Sequence, residues 1–186
     1  MANKNNKKLY NELKLQETAY VSVLEIVDAL ADSLNIVLIE NILLKELYNK
    51  LPLGSPLENI KVTSNYGWRK NPITKFKEHH DGVDLVAGPW DEVLATGDGM
   101  VIRSSRYHGL GKCVVIRHAD GYRSLYGHLS KLKVKKGNQV KKGDVIGMAG
   151  NTGYTKGYHL HYEVYKNNIR ANPMEYIFHN YEGERE

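Results

Sequence analysis

The chain has 186 residues, of which 41% are hydrophobic and 25% charged, proportions that are ordinary for a folded soluble protein. Its single cysteine, Cys113, excludes an intramolecular disulfide and a cysteine-rich metal site, and no run approaches the roughly 18 apolar residues of a membrane span. The formal charge of +5 favours anionic partners, a class that includes nucleic acid, membrane surface and cell wall, and it selects none of them.

The chain begins with a basic stretch, residues 1–8, that no apolar segment follows, so we predict that it lacks an export signal. We therefore expect a protein that stays inside the cell or a trimmed piece of a longer exported one. All 17 glycines lie at or after Gly54, and all 8 histidines lie at or after His79. The Pro- and Gly-containing stretch 52–56 is the natural linker, which predicts a helical region at residues 1–53 and a second domain at residues 54–186.

Residues 9–51 contain neither Gly nor Pro and are predicted to be helical. Apolar residues recur there in alternating steps of four and three, which is one seam of a helix: Val23, Val27, Leu30, Leu34 and Val37. Because such a helix is unusually long, we expect a coiled coil or a break, for which Asp32 and Ser33 are suitable capping residues. The apolar arc is too wide for a helix alone in water, so it must pack on the rest of the chain, a second copy or a related partner.

The second region contains short runs rich in β-branched and aromatic residues, separated by glycine-containing turns. The predicted strands are residues 100–102, 112–117, 122–128 and 160–165. Because no helical pattern separates them, an antiparallel sheet is favoured, and the predicted fold class is α+β. A near-repeat at residues 134–137 and 140–147 predicts two tight glycine turns around a small strand.

Two histidines, His159 and His161, flank Leu160 at the start of the last of these runs. Alternate residues of a strand share a face, so both imidazoles point the same way, and Leu160, Tyr162 and Val164 form the opposite, core-facing side. Two histidines on one face of a strand indicate a shared site more strongly than either would alone.

Further candidates lie upstream, at His80 and Asp84, with Gly82 between them to allow a tight backbone turn. Another histidine, His128, ends a strand-like run. The complete set of candidates is His80, Asp84, His128, His159 and His161. Three ligands suffice for a catalytic zinc, and two remaining histidines would then be available for proton transfer and charge stabilisation.

These residues lie in motifs that resemble the LytM/lysostaphin-type zinc metallopeptidases, which are peptidoglycan endopeptidases with an antiparallel β core. The motifs are His80-x-x-x-Asp84, Tyr-Gly-His-Leu at residues 126–129 and His-Leu-His-Tyr-Glu at residues 159–163. Supporting matches occur at residues 63–69, 71–72, 97–99 and 172–173, so the resemblance covers residues 58–175. Tyr158 departs from the pattern, because these enzymes commonly have proline there, but no ligand is lost.

The resemblance implies one zinc ion per chain and divides the candidates by role: metal ligands His80, Asp84 and His161, and catalytic histidines His128 and His159. Strand geometry alone could not make this division, which assigns different roles to the two histidines of one strand face. Glu163 shares that face and either holds a ligand imidazole or is a surface or salt-bridging glutamate. Arg69 is either a substrate-binding or a structural arginine.

The resemblance thus predicts a zinc-dependent endopeptidase that cuts peptidoglycan cross-links in wall remodelling and cell-shape determination, in the periplasm or outside the cell. The helical region predicts a homodimer, or a heterodimer with a related LytM-type protein, through residues 9–51. The alternative is a LytM-type scaffold that regulates another wall hydrolase. The choice of peptide bond and the individual roles of His128 and His159 are left open.

Two other classes of protein fit the sequence poorly. Residues 140–147 resemble a turn of lipoyl- or biotinyl-type carrier domains, but no Met-Lys-Met or Asp-Lys-Ala is present. The basic stretch 131–142 has no aromatic residues interleaved with its lysines, as a nucleic-acid site would, so no nucleic-acid partner is predicted.

Overall fold

The computed structural model describes residues 2–71 and 74–178, with side chains from residue 14 onwards except residue 17. A long helix, α1 (Ala2–Lys50), precedes a β-rich region, which confirms the predicted fold class. By compactness the chain divides into two units, residues 1–44 and 45–186. The predicted domain boundary between residues 53 and 54 stays a prediction.

Helix α1 is continuous, so the break considered at Asp32 and Ser33 does not occur. The Ser33 hydroxyl donates a hydrogen bond to the carbonyl oxygen of Ala29 at 2.9 Å, which satisfies it within the helix instead of at a cap. Pro52 disfavours the helical conformation at the residue before it, which is why the helix ends near this point.

The apolar side chains of α1 are exposed along most of its length. Between Leu15 and Leu47 the large hydrophobic residues keep 45% to 71% of their surface in contact with solvent. Despite this apolar character, none of the helices among the described residues is both long enough and apolar enough to cross a bilayer.

The β-rich region is built from short antiparallel strands. In chain order they are β1 (Val62–Ser64), β2 (Gly67–Lys70), β3 (Lys77–His80), β4 (Val83–Val86), β5 (Glu92–Leu94), β6 (Gly99–Arg106), β7 (Lys112–Arg117), β8 (Tyr122–Leu129), β9 (Lys131–Leu132), β10 (Gln139–Val140), β11 (Val145–Met148), β12 (His159–Lys166) and β13 (Ile169–Ala171). A 3₁₀ turn (His108–Leu110) and a short helix, α2 (Met174–Ile177), complete the described elements.

One eight-stranded sheet contains the order β1-β4-β12-β8-β7-β6-β10, and β13 also pairs with β12. A three-stranded sheet, β5-β11-β9, and the hairpin β2-β3 lie outside it. The two glycine turns predicted around a small strand are present, because Gly137 and Gly143 have φ of +93° and +87° and β10 lies between them. The order of the large sheet makes β4, β12 and β8 direct neighbours.

Leu160, Tyr162 and Val164 of β12 are fully buried in the main core cluster, as predicted, and His161 and Glu163 on the other face of the strand are buried too. The core also holds polar contacts between strands, since the hydroxyls of Tyr126 and Tyr162 each lie 2.9 Å from the hydroxyl of Thr96. A buried hydroxyl without a partner would cost free energy, so these hydrogen bonds allow two tyrosines to fill the core. They join β8 to β12, the strands that carry three of the candidate histidines.

Candidate metal centre

Three candidate ligands meet at one point, although up to 81 residues separate them along the chain. Asp84 on β4 is the register partner of His161 on β12, and His80 ends the preceding strand β3. Asp84 Oδ1 lies 2.9 Å from His161 Nδ1 and 3.2 Å from His80 Nε2, and the two imidazole nitrogens are 3.1 Å apart. Ligands around a tetrahedral zinc, each about 2.05 Å from the metal, are separated by roughly 3.3 Å. The donor set therefore fits a zinc ion in both chemistry and spacing.

The turn between β3 and β4 needs a glycine. A Cβ atom at Gly82 would lie 2.3 Å from the carbonyl oxygen of Tyr162 and 3.0 Å from Cε1 of His161. These distances are too short for any side chain. Because glycine has none, the turn can lie close enough to β12 for His80 and Asp84 to meet His161.

In each candidate ligand imidazole, the nitrogen that points away from the centre contacts a protein oxygen. His80 Nδ1 donates to the carbonyl oxygen of Asn65 at 2.8 Å, which leaves Nε2 to face the centre. His161 has the opposite arrangement, since its Nε2 donates to Glu163 Oε1 at 3.0 Å and leaves Nδ1 to face the centre. These contacts orient both rings before any metal binds.

Glu163 and Arg69, for which the sequence left two interpretations each, both contact the ligands. Glu163 is buried, accepts from His161, and also accepts a hydrogen bond from the Tyr165 hydroxyl. Arg69 donates from Nη1 to Asp84 Oδ2 at 3.0 Å and to the Ser64 hydroxyl, and its Nε lies 3.3 Å from Glu78 Oε1. Each side chain thus holds a candidate ligand in place: Glu163 holds His161, and Arg69 holds Asp84.

The ligand cluster has strongly shifted acidities. Burial by itself raises the pKa of Asp84, but hydrogen bonds and charge from His161 and His80 outweigh it and hold that pKa far below its usual range. Burial lowers the pKa of His161, yet hydrogen bonds to Asp84 and Glu163 raise it overall to about 9. Burial likewise raises the pKa of Glu163, and its contact with His161 lowers it overall. The carboxylates are therefore ionised and ready to hold cations.

The remaining two histidines lie beside this cluster, with their ring planes tilted by 53° to each other. The ring centroids of His128 and His159 are 4.7 Å apart, and His159 Nε2 lies 3.7 Å from Asp84 Oδ1. His128 Nδ1 donates to the carbonyl oxygen of Thr152, and His159 Nδ1 donates to that of Gly157, at 2.8 and 2.9 Å. In the neutral state Nε2 of both rings therefore carries the lone pair. Burial lowers the pKa of His128 to about 4, so that ring is neutral at neutral pH.

All five candidates line a single cleft of about 790 Å³, which lies within the usual size range of ligand sites. Tyr158, the position that departs from the family pattern, lies on its wall together with Tyr154 and Lys156. Both tyrosines are about half exposed, with fractions of 52% and 55%.

Several groups that orient the side chains of the site could not be predicted from any sequence pattern. The carbonyl oxygens of Asn65, Thr152 and Gly157 orient three imidazoles, and a backbone carbonyl is present at every position of any chain. Arg170 on β13 contacts Asp81 at 3.0 Å and Glu163 at 3.7 Å, and only the pairing of β13 with β12 brings it there.

The chain is similar to known peptidases in sequence and in fold. Residues 78–173 match Peptidase family M23. The chain is 43% identical over 122 residues to the peptidoglycan DD-endopeptidase ShyC of Vibrio cholerae, a match covering 65% of this chain and 28% of that protein. A solved zinc-containing peptidase from Vibrio cholerae shares 37% identity at a TM-score of 0.59, over 68% of this chain and 39% of that one. The catalytic domain of lysostaphin from Staphylococcus simulans shares 32% identity at a TM-score of 0.59, over 66% of this chain and 96% of that one.

The chain spans less than a third of the length of the curated relatives it matches. The family match nevertheless covers more than half of this chain and includes all five candidate residues. The chain therefore belongs to Peptidase family M23, which comprises the LytM- and lysostaphin-type metallopeptidases.

Proposed function

We propose that this chain is a zinc-dependent endopeptidase that hydrolyses peptide cross-links of bacterial peptidoglycan during cell-wall remodelling. The observation that carries the proposal is the convergence of His80, Asp84 and His161 in the cleft, with His128 and His159 beside them. Membership of the family supports peptide-bond hydrolysis, and the name of the Vibrio relative ShyC supports a peptidoglycan substrate.

Nε2 of His80, Nδ1 of His161 and a carboxylate oxygen of Asp84 would hold the zinc ion. When bound there, zinc supplies Lewis-acid chemistry to a peptide carbonyl and to a water molecule. The protein fixes the three ligands in advance, because Asn65, Glu163 and Arg69 contact them from behind. Such pre-organisation lowers the cost of assembling the site.

In this proposal His128 and His159 move the protons of the reaction. Their Nδ1 atoms are tied to backbone carbonyls, so each Nε2 can accept a proton from the attacking water or deliver one to the leaving amine. The lowered pKa of His128 keeps it unprotonated and able to accept at neutral pH. A donor imidazole can also stabilise the oxyanion that forms from the peptide carbonyl.

The substrate would be a peptide lying along the cleft, whose lining includes Arg69, Lys70, Tyr154, Lys156 and Tyr158. The formal charge of +5 favours an approach to the anionic wall polymer. The proposed location is the periplasm or the cell exterior, where this polymer lies. Association of residues 9–51 with another LytM-type chain, and a regulatory role in place of hydrolysis, both stay predictions.

A digest of purified peptidoglycan tests the proposal. The full chain should release fragments whose peptide cross-links are cut, as identified by mass spectrometry. A chelator should abolish release and added zinc should restore it. His161→Ala should be inactive, whereas His108→Ala, which alters an exposed histidine outside the cleft lining, should retain activity. Cleavage of the glycan strand, or release that a chelator leaves unchanged, would contradict the proposal, and intact wall in the presence of zinc-loaded protein would favour the regulatory alternative.

A further inference from the structure

Exposed apolar residues of α1 recur with a period of seven residues, whose positions are labelled a to g. The proposed hydrolysis gives these residues no role. The a and d positions are Tyr20, Val23, Val27, Leu30, Leu34, Val37, Asn41 and Leu44. All eight side chains are exposed, and the helix that carries them is unbroken. A repeat of 3.5 residues that extends over this length is typical of a helix that supercoils around another helix.

One polar residue, Asn41, stands at an a position within this apolar seam. A single asparagine at an a position lowers the stability of a coiled coil, but it specifies the register and favours two strands. Asn41 Nδ2 donates to the carbonyl oxygen of Val37 at 3.0 Å within the helix. In a parallel pair without stagger the two Asn41 amides lie at the same level and can form a further hydrogen bond across the seam. Any other register would place each amide against an apolar side chain of the other helix instead of against the second amide.

The residues flanking the seam carry one complementary pair of charges. Glu40 occupies a g position and Lys45 an e position, five residues later, while the other e and g positions from Ala19 to Leu47 are uncharged. In a parallel coiled coil, a g residue faces the e residue five positions later on the other helix. Two identical helices in register therefore form two Glu40–Lys45 ion pairs, one on each side.

We propose that residues 20–44 of α1 form a parallel, in-register, two-stranded coiled coil with a second copy of this chain. The partner is identical because the Asn41 pair and the Glu40–Lys45 pairs are both self-complementary. Eight large apolar residues of this segment lie outside the seam: Val21, Leu24, Ile26, Ile36, Leu38, Ile39, Ile42 and Leu43. The proposal goes beyond hydrolysis and does not depend on it, and its tests measure association and not activity.

Light scattering of the full chain should be measured across a hundredfold range of concentration. The mass should be twice that of one chain at the high end and should fall towards that of one chain on dilution. Glu40→Lys places like charges opposite each other and should raise the dissociation constant about tenfold. Glu25→Lys, at the outer f position, makes the same charge change and should leave the constant unaltered. Mixing Glu40→Lys with Lys45→Glu should restore tight association, because both ion pairs re-form in the heterodimer.

Cysteine cross-linking tests the orientation. Val23→Cys should form an interchain disulfide under glutathione disulfide, because d positions meet in a parallel in-register pair, whereas Glu25→Cys should not. The native Cys113 is fully buried and is the same in both variants. The proposal would be overturned by the mass of a single chain at every concentration, or by a mass above that of two chains. It would also be overturned by equal effects of Glu40→Lys and Glu25→Lys on the dissociation constant, or by equal cross-linking of the two cysteine variants.

Discussion

The four histidines of the cleft differ in which ring nitrogen the protein holds. His80, His128 and His159 donate from Nδ1 to backbone carbonyls, whereas His161 donates from Nε2 to a buried carboxylate, that of Glu163. A carboxylate acceptor makes an imidazole a more basic ligand than a carbonyl does. The neighbours His159 and His161 therefore have different chemistry although they share one face of one strand.

Single substitutions of these histidines should separate metal binding from catalysis. His161→Ala should lose both zinc and activity, because one of three ligands is removed. His128→Ala and His159→Ala should each keep zinc, while hydrolysis falls ~10²-fold or more, the usual scale of acid–base catalysis. Zinc content by mass spectrometry and cross-link cleavage should be measured on the same samples. Loss of zinc in the His128 variant would show that the roles are wrongly assigned.

Glu163 should act through His161 and not on the substrate. Glu163→Ala removes the acceptor of Nε2 and should weaken zinc affinity by about 10- to 100-fold, as other changes to the partners of ligand histidines do. Glu163→Gln keeps an oxygen acceptor and should recover part of that loss. Competition with a zinc-binding dye gives the affinities, and melting of the metal-free proteins reports any loss of stability. An alanine variant with unchanged zinc affinity would exclude this positioning role.

At the scale of elements, the site depends on the contact of the β3–β4 turn with β12. The pairing of β4 with β12 places Asp84 opposite His161, and the pairing of β12 with β8 places Gly127, next to His128, opposite the same histidine. The strands are distant in sequence, so only sheet order makes them neighbours. The close approach of the β3–β4 turn to β12 requires a residue without a side chain at position 82, and Gly82 provides it.

Gly82→Ala should therefore damage the site without altering any ligand. The added methyl would meet the backbone of β12 at 2.3 Å, which forces the turn away, and we expect a loss of about 1–3 kcal/mol of stability together with weaker zinc binding. Gly109→Ala is the matched control, because its added carbon would meet only Tyr154 Cβ at an ordinary 3.7 Å. Denaturant melts and zinc titrations of both variants provide the comparison. Equal behaviour of the two would contradict the role given to Gly82.

At the scale of the whole molecule, buried polar groups link the core to solution pH. His118 is buried, and its ring nitrogens lie 2.8 Å from the carbonyl oxygen of Asp98 and 2.7 Å from the Ser124 hydroxyl. Ser124 in turn contacts the Tyr126 hydroxyl, so this histidine belongs to the network that joins β8 to β12. Burial lowers the pKa of His118 below its ordinary value of 6.5.

The pH dependence of stability should reveal this histidine. Below pH 6.5 the unfolded chain takes up a proton at His118 while the folded chain does not, so its contribution to stability is present above that pH and is lost as pH falls. One such group changes the free energy of unfolding by at most about 1.4 kcal/mol per pH unit. His118→Gln should flatten the decline between pH 7 and 5, and the exposed control His108→Gln should not. If the stability of wild type and of His118→Gln declined in parallel between pH 7 and 5, the role given to His118 would be refuted.

The amino-acid sequence by itself was enough to predict the long helix, all or part of β6, β7, β8, β10 and β12, and five of the residues that line the cleft. Helix α1 follows from the absence of Gly and Pro, and the core face of β12 follows from the alternation of Leu160, Tyr162 and Val164. These features are local, because periodicity and backbone restriction act over a few residues.

Only the tertiary structure decided how those residues are arranged. It brought His80, Asp84 and His161 within 3.2 Å of one another, and it tied His161 to Glu163 through one particular ring nitrogen. It also showed that α1 continues through Asp32 and Ser33. The physical reason is that strand order, register and carbonyl contacts join residues that are far apart in the chain, and the free energy of such contacts depends on a whole packed sheet.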